Sequence, residues 1–257
     1  MSNQLQINIR RKVLQMVVDS REGHVASSFS IAEILTAIYQ YLDEQGRGAD
    51  FASHFILSKG HGVYALYGLM SELGLIPDDE LSQVGQYGSY LIGHVPVKPE
   101  RGFYVGTGSL GQGLPMALGR AYVRRQAGDT TPEFVIVGDG EFNEGSIWET
   151  LMLMQKFPNA KMRVFVDNNL SSTRAIPMTK VFAAVKAGWP TVEVDGHDMN
   201  QILQVLKAND TDENLIILCN TKKGFPLKAM NNPMWHHRMP TQEEADAFNI
   251  EIEEFFK

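Results

Sequence analysis

Five short apolar runs constrain the fold of this chain more than any other feature. They are HFILS (54–58), EFVIVG (133–138), MRVFVD (162–167), TVEVD (191–195) and NLIILC (214–219). Each is nearly apolar throughout, as a strand covered on both faces must be; a strand with one wet face would alternate. Helical stretches lie between them, at 111–126, 145–156, 181–187 and 200–208. Strand, helix, strand, helix predicts an α/β fold: a parallel sheet with helices on both faces. Ahead of the sheet, Leu5, Ile9, Val13, Met16 and Val17 share one face of an N-terminal helix. A second helix runs from Ser30 through IAEILTAIYQYL, with Ser30 as N-cap and Glu33 at capping-box spacing. A third follows Gly62 and stops at Gly74 and Pro77. The closing TQEEADAFNIEIEEFFK reads as a helix capped by Thr241, with acids in its first turn. No linker or repeat divides the chain, so one domain over 1–257 is expected.

Charge and cysteine content narrow the function classes. The net charge is −7 and the basic residues are dispersed, which argues against nucleic acid or an anionic membrane as partner. The clusters Arg10-Arg11-Lys12 and Arg124-Arg125 read as solvated helix faces. A single cysteine, Cys219, excludes an internal disulfide and a Cys-rich zinc site; its apolar run marks it as a buried structural thiol. No run approaches the roughly 18 apolar residues of a membrane span, and the N-terminus lacks a signal peptide's apolar stretch. A cytoplasmic protein is expected.

In parallel sheets ligands sit beyond the carboxyl ends of the strands, so residues just after strands carry the information. VIVGDGEFNEG (135–145) is followed one strand later by VFVDNNL (164–170). Asp139 offers an anionic oxygen, Asn168 an amide oxygen, and the backbone at Leu170 a carbonyl. Three oxygens from neighbouring loops suit Mg²⁺ or Ca²⁺, with diphosphate oxygens and water completing about six positions. Gly138 and Gly140 let the backbone approach phosphates, and the helix after Gly145 directs its N-terminus at an anion. Taken alone, DG and NN are ordinary turn dipeptides; the pairing of the two loops carries the signal. GTGSLGQG (106–113) is a glycine-rich loop entering a helix, a weaker mark of an anion site, with neither a dinucleotide fingerprint nor a P-loop lysine.

Three of the histidines that follow glycines do so in similar contexts, His24, His61 and His94, and a further one, His236, lies in Trp235-His236-His237. Their spacings are not those of zinc ligands. From separate loops they can converge as proton donors or phosphate ligands. His54 and His237 read as structural, and His197 as part of a turn entering the next helix. Around Cys219 there is no nucleophile context, and no G-x-S-x-G elbow is present.

These blocks resemble a known family. GDGEFNEG with VDNN resembles the thiamine-diphosphate motif. LSKGHGVYALYGLM, IGHVP, GTGSLGQG, EVDGHD and TKKGFPL with NPMWHHRMP resemble, in order from about Arg10 to Pro240, the blocks of transketolases. Only the N-terminal, diphosphate-binding domain of that family is matched. The resemblance therefore implies one subunit of a split transketolase. Its partner would be a C-terminal subunit carrying the pyrimidine-binding domain, in a hetero-oligomer with two copies of each chain. It implies thiamine diphosphate with Mg²⁺ (or Ca²⁺) held by Asp139, Asn168 and the Leu170 carbonyl. It places Gly140, His61, Gly108 and His236 near the diphosphate and thiazolium, Leu110 against the cofactor, and Glu144 near the subunit interface. His24, His94 and His236 are implied as the catalytic histidines around C1 and C2 of a donor ketose. The implied reaction moves a two-carbon ketol unit from a ketose to an aldose, both often phosphorylated.

Two departures stand out. REGHVASSFS lacks the proline common after that histidine and leans toward the deoxyxylulose-phosphate synthase pattern, and LSSTRA follows Asn169, with Arg174 read as solvent-facing. Two readings compete with ketol transfer. One is a synthase-like or other thiamine enzyme using an oxo acid, distinguished by carbon dioxide release. The other is a non-catalytic cofactor-binding scaffold, against which the intact Asp139, Asn168, His24, His61, His94 and His236 argue.

Overall fold

The structure, a computed structural model, describes residues 2–174 and 176–257; the side chains of Ser2, Thr173 and Arg174 lie outside the description, and with them the reading of Arg174. The helices are α1 (Ser2–Ser20), α2 (Val25–Phe29), α3 (Ala32–Asp43), α4 (Val63–Glu72), α5 (Asp78–Leu81), α6 (Gly113–Gln126), α7 (Gly145–Lys156), α8 (Met178–Gly188), α9 (Met199–Ala208) and α10 (Gln242–Phe256). The strands are β1 (Phe55–Leu57), β2 (Glu133–Gly138), β3 (Met162–Asn168), β4 (Thr191–Asp195) and β5 (Leu215–Asn220). Two compact units result. One is made of Met1–Thr36, Gly60–Gly106 and Lys222–Lys257, the other of Ala37–Lys59 and Thr107–Thr221. No helix among the described residues is long and apolar enough to cross a membrane.

The second unit holds the sheet. All five strands are parallel, in the order β1-β2-β3-β5-β4. The inner strands β2, β3 and β5 are buried almost end to end, as their apolar runs require. β4 differs from expectation. It is an edge strand, and only Val194 in it is buried. Its Glu193 is what the edge position permits: the side chain pairs with Lys186 at 2.8 Å. Asp198 caps α9, accepting from the amides of Asn200 (2.9 Å) and Gln201 (3.1 Å). His197 lies in the turn just before, as read from the sequence. Cys219 is fully buried, and burial pushes its thiol up.

At the amino end of β2 a buried carboxylate, Glu133, faces Arg120 (3.3 Å) and Arg124 (3.7 Å). Neither of its oxygens accepts a hydrogen bond, and burial drives its pKa up to about 7 against the pull of both arginines. The folded chain thus holds this proton more tightly than the unfolded chain, whose Glu titrates near 4.5. That contribution to stability is complete below the unfolded value and is lost as pH rises through about 7. Glu133→Gln should remove this slope and stabilise the protein above neutrality by about 1–3 kcal/mol. Urea midpoints measured from pH 5 to 8 would check it; parallel curves for variant and wild type would contradict it.

The first unit is built around α1, which packs against α4 and α10. Ile9, Val13, Met16 and Val17 are buried as the helical period predicts, and Leu5 is half-buried. One expectation fails here. Arg10 is not on a solvated face but fully buried. A buried guanidinium requires a counter-charge. Glu33 supplies it at 2.5 Å, Gln6 Oε1 accepts at 2.6 Å, and the ring of Phe256 lies 5.1 Å away. Ser30 donates to the Ser27 carbonyl (2.9 Å) and ends the short helix α2; the next helix starts at Ala32. Arg124 is half-buried; its guanidinium binds the Ser53 carbonyl (2.5 Å) and pairs with Asp129. Thr241 and Glu244 form the reciprocal cap of α10, at 3.2 and 3.0 Å.

Candidate functional site

In the sheet unit, the carboxyl ends of β1, β2, β3 and β5 bring charged side chains together. Asp139 follows β2. It is buried; its Oδ1 accepts from the Gly140 amide (2.8 Å) and its Oδ2 from the Ser172 amide (3.1 Å). Asn143 Nδ2 also donates to Ser172 Oγ at 2.8 Å, so the loop after β2 is tied to the loop after β3. The sequence showed the two loops; these bonds join them. Burial raises the Asp139 pKa, and the neighbouring Asp167 raises it further, against the Ser172 amide and the Lys59 ammonium.

Asn168 ends β3. Its Nδ2 donates to Asn220 Oδ1 (2.8 Å), while its Oδ1 is buried with no hydrogen-bond partner. An orphaned buried amide oxygen costs about 1–3 kcal/mol and calls for a ligand. Leu170 adopts a left-handed backbone, φ 60°, with an exposed side chain. Hard oxygen donors from Asp139 and Asn168 fit a Mg²⁺ or Ca²⁺ ion. Gly140 is half-exposed and fronts open space, so a ligand can reach its backbone. Gly108 and Leu110 are exposed, and Glu144 is half-buried at the N-cap of α7, where its side chain makes no capping bond.

Two groups in this unit had no role in the sequence reading. Glu141, inside the GDGEFNEG motif, binds three loops. Its Oε2 accepts from the Gly138 amide (2.8 Å), and its Oε1 from the Gly111 amide (2.9 Å) and Ser58 Oγ (2.5 Å). Gly113 makes that junction possible, since a Cβ there would lie 2.4 Å from the Ser58 Cβ. The second group is Lys59 with Asp167, both buried; Asp167 also accepts from Thr221 Oγ1 and from Asn169 Nδ2 (2.8 Å). A lysine directly after a strand and an aspartate ending one were the available signals, because a buried charge at either place needs the other.

In the first unit, five imidazoles meet. His24 stacks on His61 at 4.4 Å between centroids, with His236 at 5.4 Å, His237 at 4.9 Å and His94 at 6.4 Å. His61 is 5.5 Å from His94 and 5.4 Å from His236. Thus His24, His61, His94 and His236 converge as expected from their loop positions. His237 was read as structural, yet its exposed ring lies edge-on to His24 and 4.4 Å from His236. Gly23 seats this contact: a Cβ there would meet the His237 carbonyl oxygen at 2.8 Å and its Cα at 2.9 Å. His54 is elsewhere, buried and bonded to Asp129 at 2.9 Å, a structural histidine as read.

His24 sits in the left-handed region at φ 81°, at the N-cap of α2. Burial, then the surrounding His236, His237, His94 and Lys223, lower its pKa to about 4, so its ring is neutral at pH 7. Lys223 Nζ lies 2.6 Å from His236 Nδ1. Tyr67 Oη donates to the His94 carbonyl (3.2 Å), and Tyr64 Oη to Glu22 (2.8 Å), whose carboxylate packs on Gly93. By distance, ligand atoms of His24, His61 and His236 lie within 4.8 Å of one another, close enough to share a cation. Sequence spacing is silent on such a group because its members come from three segments; the Lys223 ammonium beside His236 opposes a cation there.

Residues 2–249 match the family described as "Transketolase, thiamine diphosphate binding domain". The chain is 31% identical over 253 residues to one subunit of the apulose-4-phosphate transketolase of Actinobacillus succinogenes, covering 93% of this chain and 91% of that protein. It is 31% identical to the 6-deoxy-6-sulfo-D-fructose transketolase subunit SqwG of Clostridium sp. strain MSTE9, covering 94% and 92%. Against mouse transketolase, identity is 29% over 95% of this chain but only 41% of the mouse protein. Among solved structures, transketolase from Leishmania mexicana superposes with a TM-score of 0.82 at 22% identity, over 98% of this chain and 41% of that one, a likeness of fold.

Proposed function

The chain belongs to the transketolase family, in its thiamine-diphosphate-binding part, and on that premise we propose that it is the N-terminal subunit of a two-subunit, cytoplasmic transketolase. Residues 1–257 serve as a single diphosphate-binding domain, joined to a C-terminal subunit that carries the pyrimidine-binding domain, with two copies of each chain. Support for the split comes from relatives whose names make them single subunits of a transketolase, two of which match over 91% and 92% of their own length.

The observation that carries the cofactor reading is the orphaned Asn168 oxygen on the loop tied to Asp139. Thiamine diphosphate, when bound, supplies the electron sink that allows a ketose to be cleaved between C2 and C3 and its two-carbon unit passed to an aldehyde. Asp139, Asn168 and the Leu170 carbonyl would hold the Mg²⁺ (or Ca²⁺) that pairs with the diphosphate. Gly140 leaves its backbone open to the phosphates, and Gly108, Leu110 and His61 complete the binding set. Glu144 serves the subunit contact. His24, neutral at pH 7, His94 and His236 bind the donor ketose about C1 and C2 and hold or move protons there.

The test is a donor assay on the chain assembled with its partner. Ketose plus aldehyde should give ketol transfer without carbon dioxide, and His24→Ala should lower kcat by roughly 10². Pyruvate consumed with carbon dioxide release would replace this reading with an oxo-acid enzyme; no turnover with any donor would leave a scaffold. His54→Ala is the proper control. His237→Ala is not, given its place against His24.

A further inference from the structure

We infer that Lys223 fixes the His236 imidazole in one tautomer, with its proton on Nε2, so that His236 meets a ligand there as a hydrogen-bond donor and not as a base. The contact is Lys223 Nζ to His236 Nδ1 at 2.6 Å. An ammonium has three donors and no acceptor, so the ring nitrogen facing it must accept. A neutral imidazole has one accepting and one donating nitrogen. With Nδ1 accepting, the proton resides on Nε2. A second proton on the ring would set imidazolium against ammonium across the same short contact.

Both partners are held by the surrounding fold. Lys223 is buried, and the amide of the next residue, Gly224, donates to the Ala26 carbonyl at 2.9 Å, pinning this segment to α2 just after His24. His236 closes the short turn Pro233–His236, whose start is capped by Asn232 accepting from the Met234 amide at 3.0 Å. Trp235 beside it is buried, with its ring 5.6 Å from Phe248 and the Arg238 guanidinium 4.2 Å above it. Two independently anchored segments therefore bring ammonium and ring together, and the tautomer is set before any ligand arrives.

The tautomer stands by itself; its use rests on the transketolase reading above. In that reading His236 can donate from Nε2 to a ketose oxygen that gains negative charge, and proton acceptance falls to other rings of the cluster. Lys223 is thus a positioning residue that acts through His236.

The experiment is ¹⁵N NMR of the full chain labelled at histidine, with His236 assigned by the signal lost in His236→Gln. The expected spectrum has His236 Nδ1 in the unprotonated range and Nε2 in the protonated range. Lys223→Met should convert this to a mixture of tautomers, and Lys223→Arg should retain it. A proton on Nδ1, protons on both nitrogens, or an unchanged tautomer in Lys223→Met would overturn the inference. The wild-type spectrum decides even where a variant fails to fold. In the assembled enzyme, Lys223→Met should lower kcat roughly tenfold, part of the 10²–10⁴ that a positioned acid–base group supplies, with a smaller change in KM. Lys223→Arg should restore it. The spectrum needs no turnover, so the tautomer and the ketol-transfer reading succeed or fail separately.

Discussion

Alone, this chain should turn over no ketose above background; mixed with a subunit carrying the pyrimidine-binding domain, it should become an active transketolase. The resemblance to the family implies that the cofactor's aminopyrimidine is activated by a carboxylate of the pyrimidine-binding domain. In the sheet unit the buried acids of the candidate site are already engaged. Glu141 accepts three hydrogen bonds, and Asp167 holds Lys59, Thr221 and Asn169. Asp139 is bound by two amides and assigned to the metal. Glu144 lies five residues from Asp139, at the diphosphate end of the cofactor. The activating carboxylate is therefore expected from the partner, across an interface of the obligate class, about 2,000 Å² or more. The assay uses thiamine diphosphate, Mg²⁺, a ketose and an aldehyde, with and without the partner. Turnover by this chain alone at the rate of the mixture would sink the two-subunit reading.

Asp139→Ala should abolish Mg²⁺-dependent binding of thiamine diphosphate in the assembled enzyme. Asp139 is the one anionic ligand assigned, and the neutral oxygens of Asn168 and Leu170 cannot neutralise a divalent ion beside a diphosphate. The fold should survive: the lost side chain is a desolvated carboxylate close to a second one, and its removal relieves that repulsion while giving up two amide bonds. Wild type should gain about 2.7 kcal/mol of stability at cofactor and metal 100-fold above Kd, and the variant none. Titration calorimetry reads the same loss directly. Unchanged binding in Asp139→Ala would mean that the two loops have been misassigned.

The strand–helix alternation and the loops after β2 and β3 were legible in the sequence because burial on both faces and glycine next to acid leave local signatures. What escaped were long-range pairings. Arg10 looked like part of a basic surface run, and only Glu33, 23 residues away, makes its burial tenable. The three-residue spacing of Glu33 from Ser30 is a local signal and says nothing of its distant ion pair with Arg10. Glu141 was invisible as an organiser because its three partners lie on three loops. His237 reads from the sequence as structural; a turn of 3₁₀ helix ending at His236 brings both rings to one cluster. The edge placement of β4 is set by strand order, which alternation alone does not determine.

The close seating of Gly23 on the backbone of His237 bears on how this pocket can be redesigned. The His237 ring is exposed, so a library at that position can vary size and polarity beside the histidine cluster without disturbing the core. Gly23 offers no such freedom: any side chain would strike main-chain atoms of His237, which cannot rotate away. Diversity is therefore to be placed on the C-terminal side of that contact, with the N-terminal side kept constant as its template.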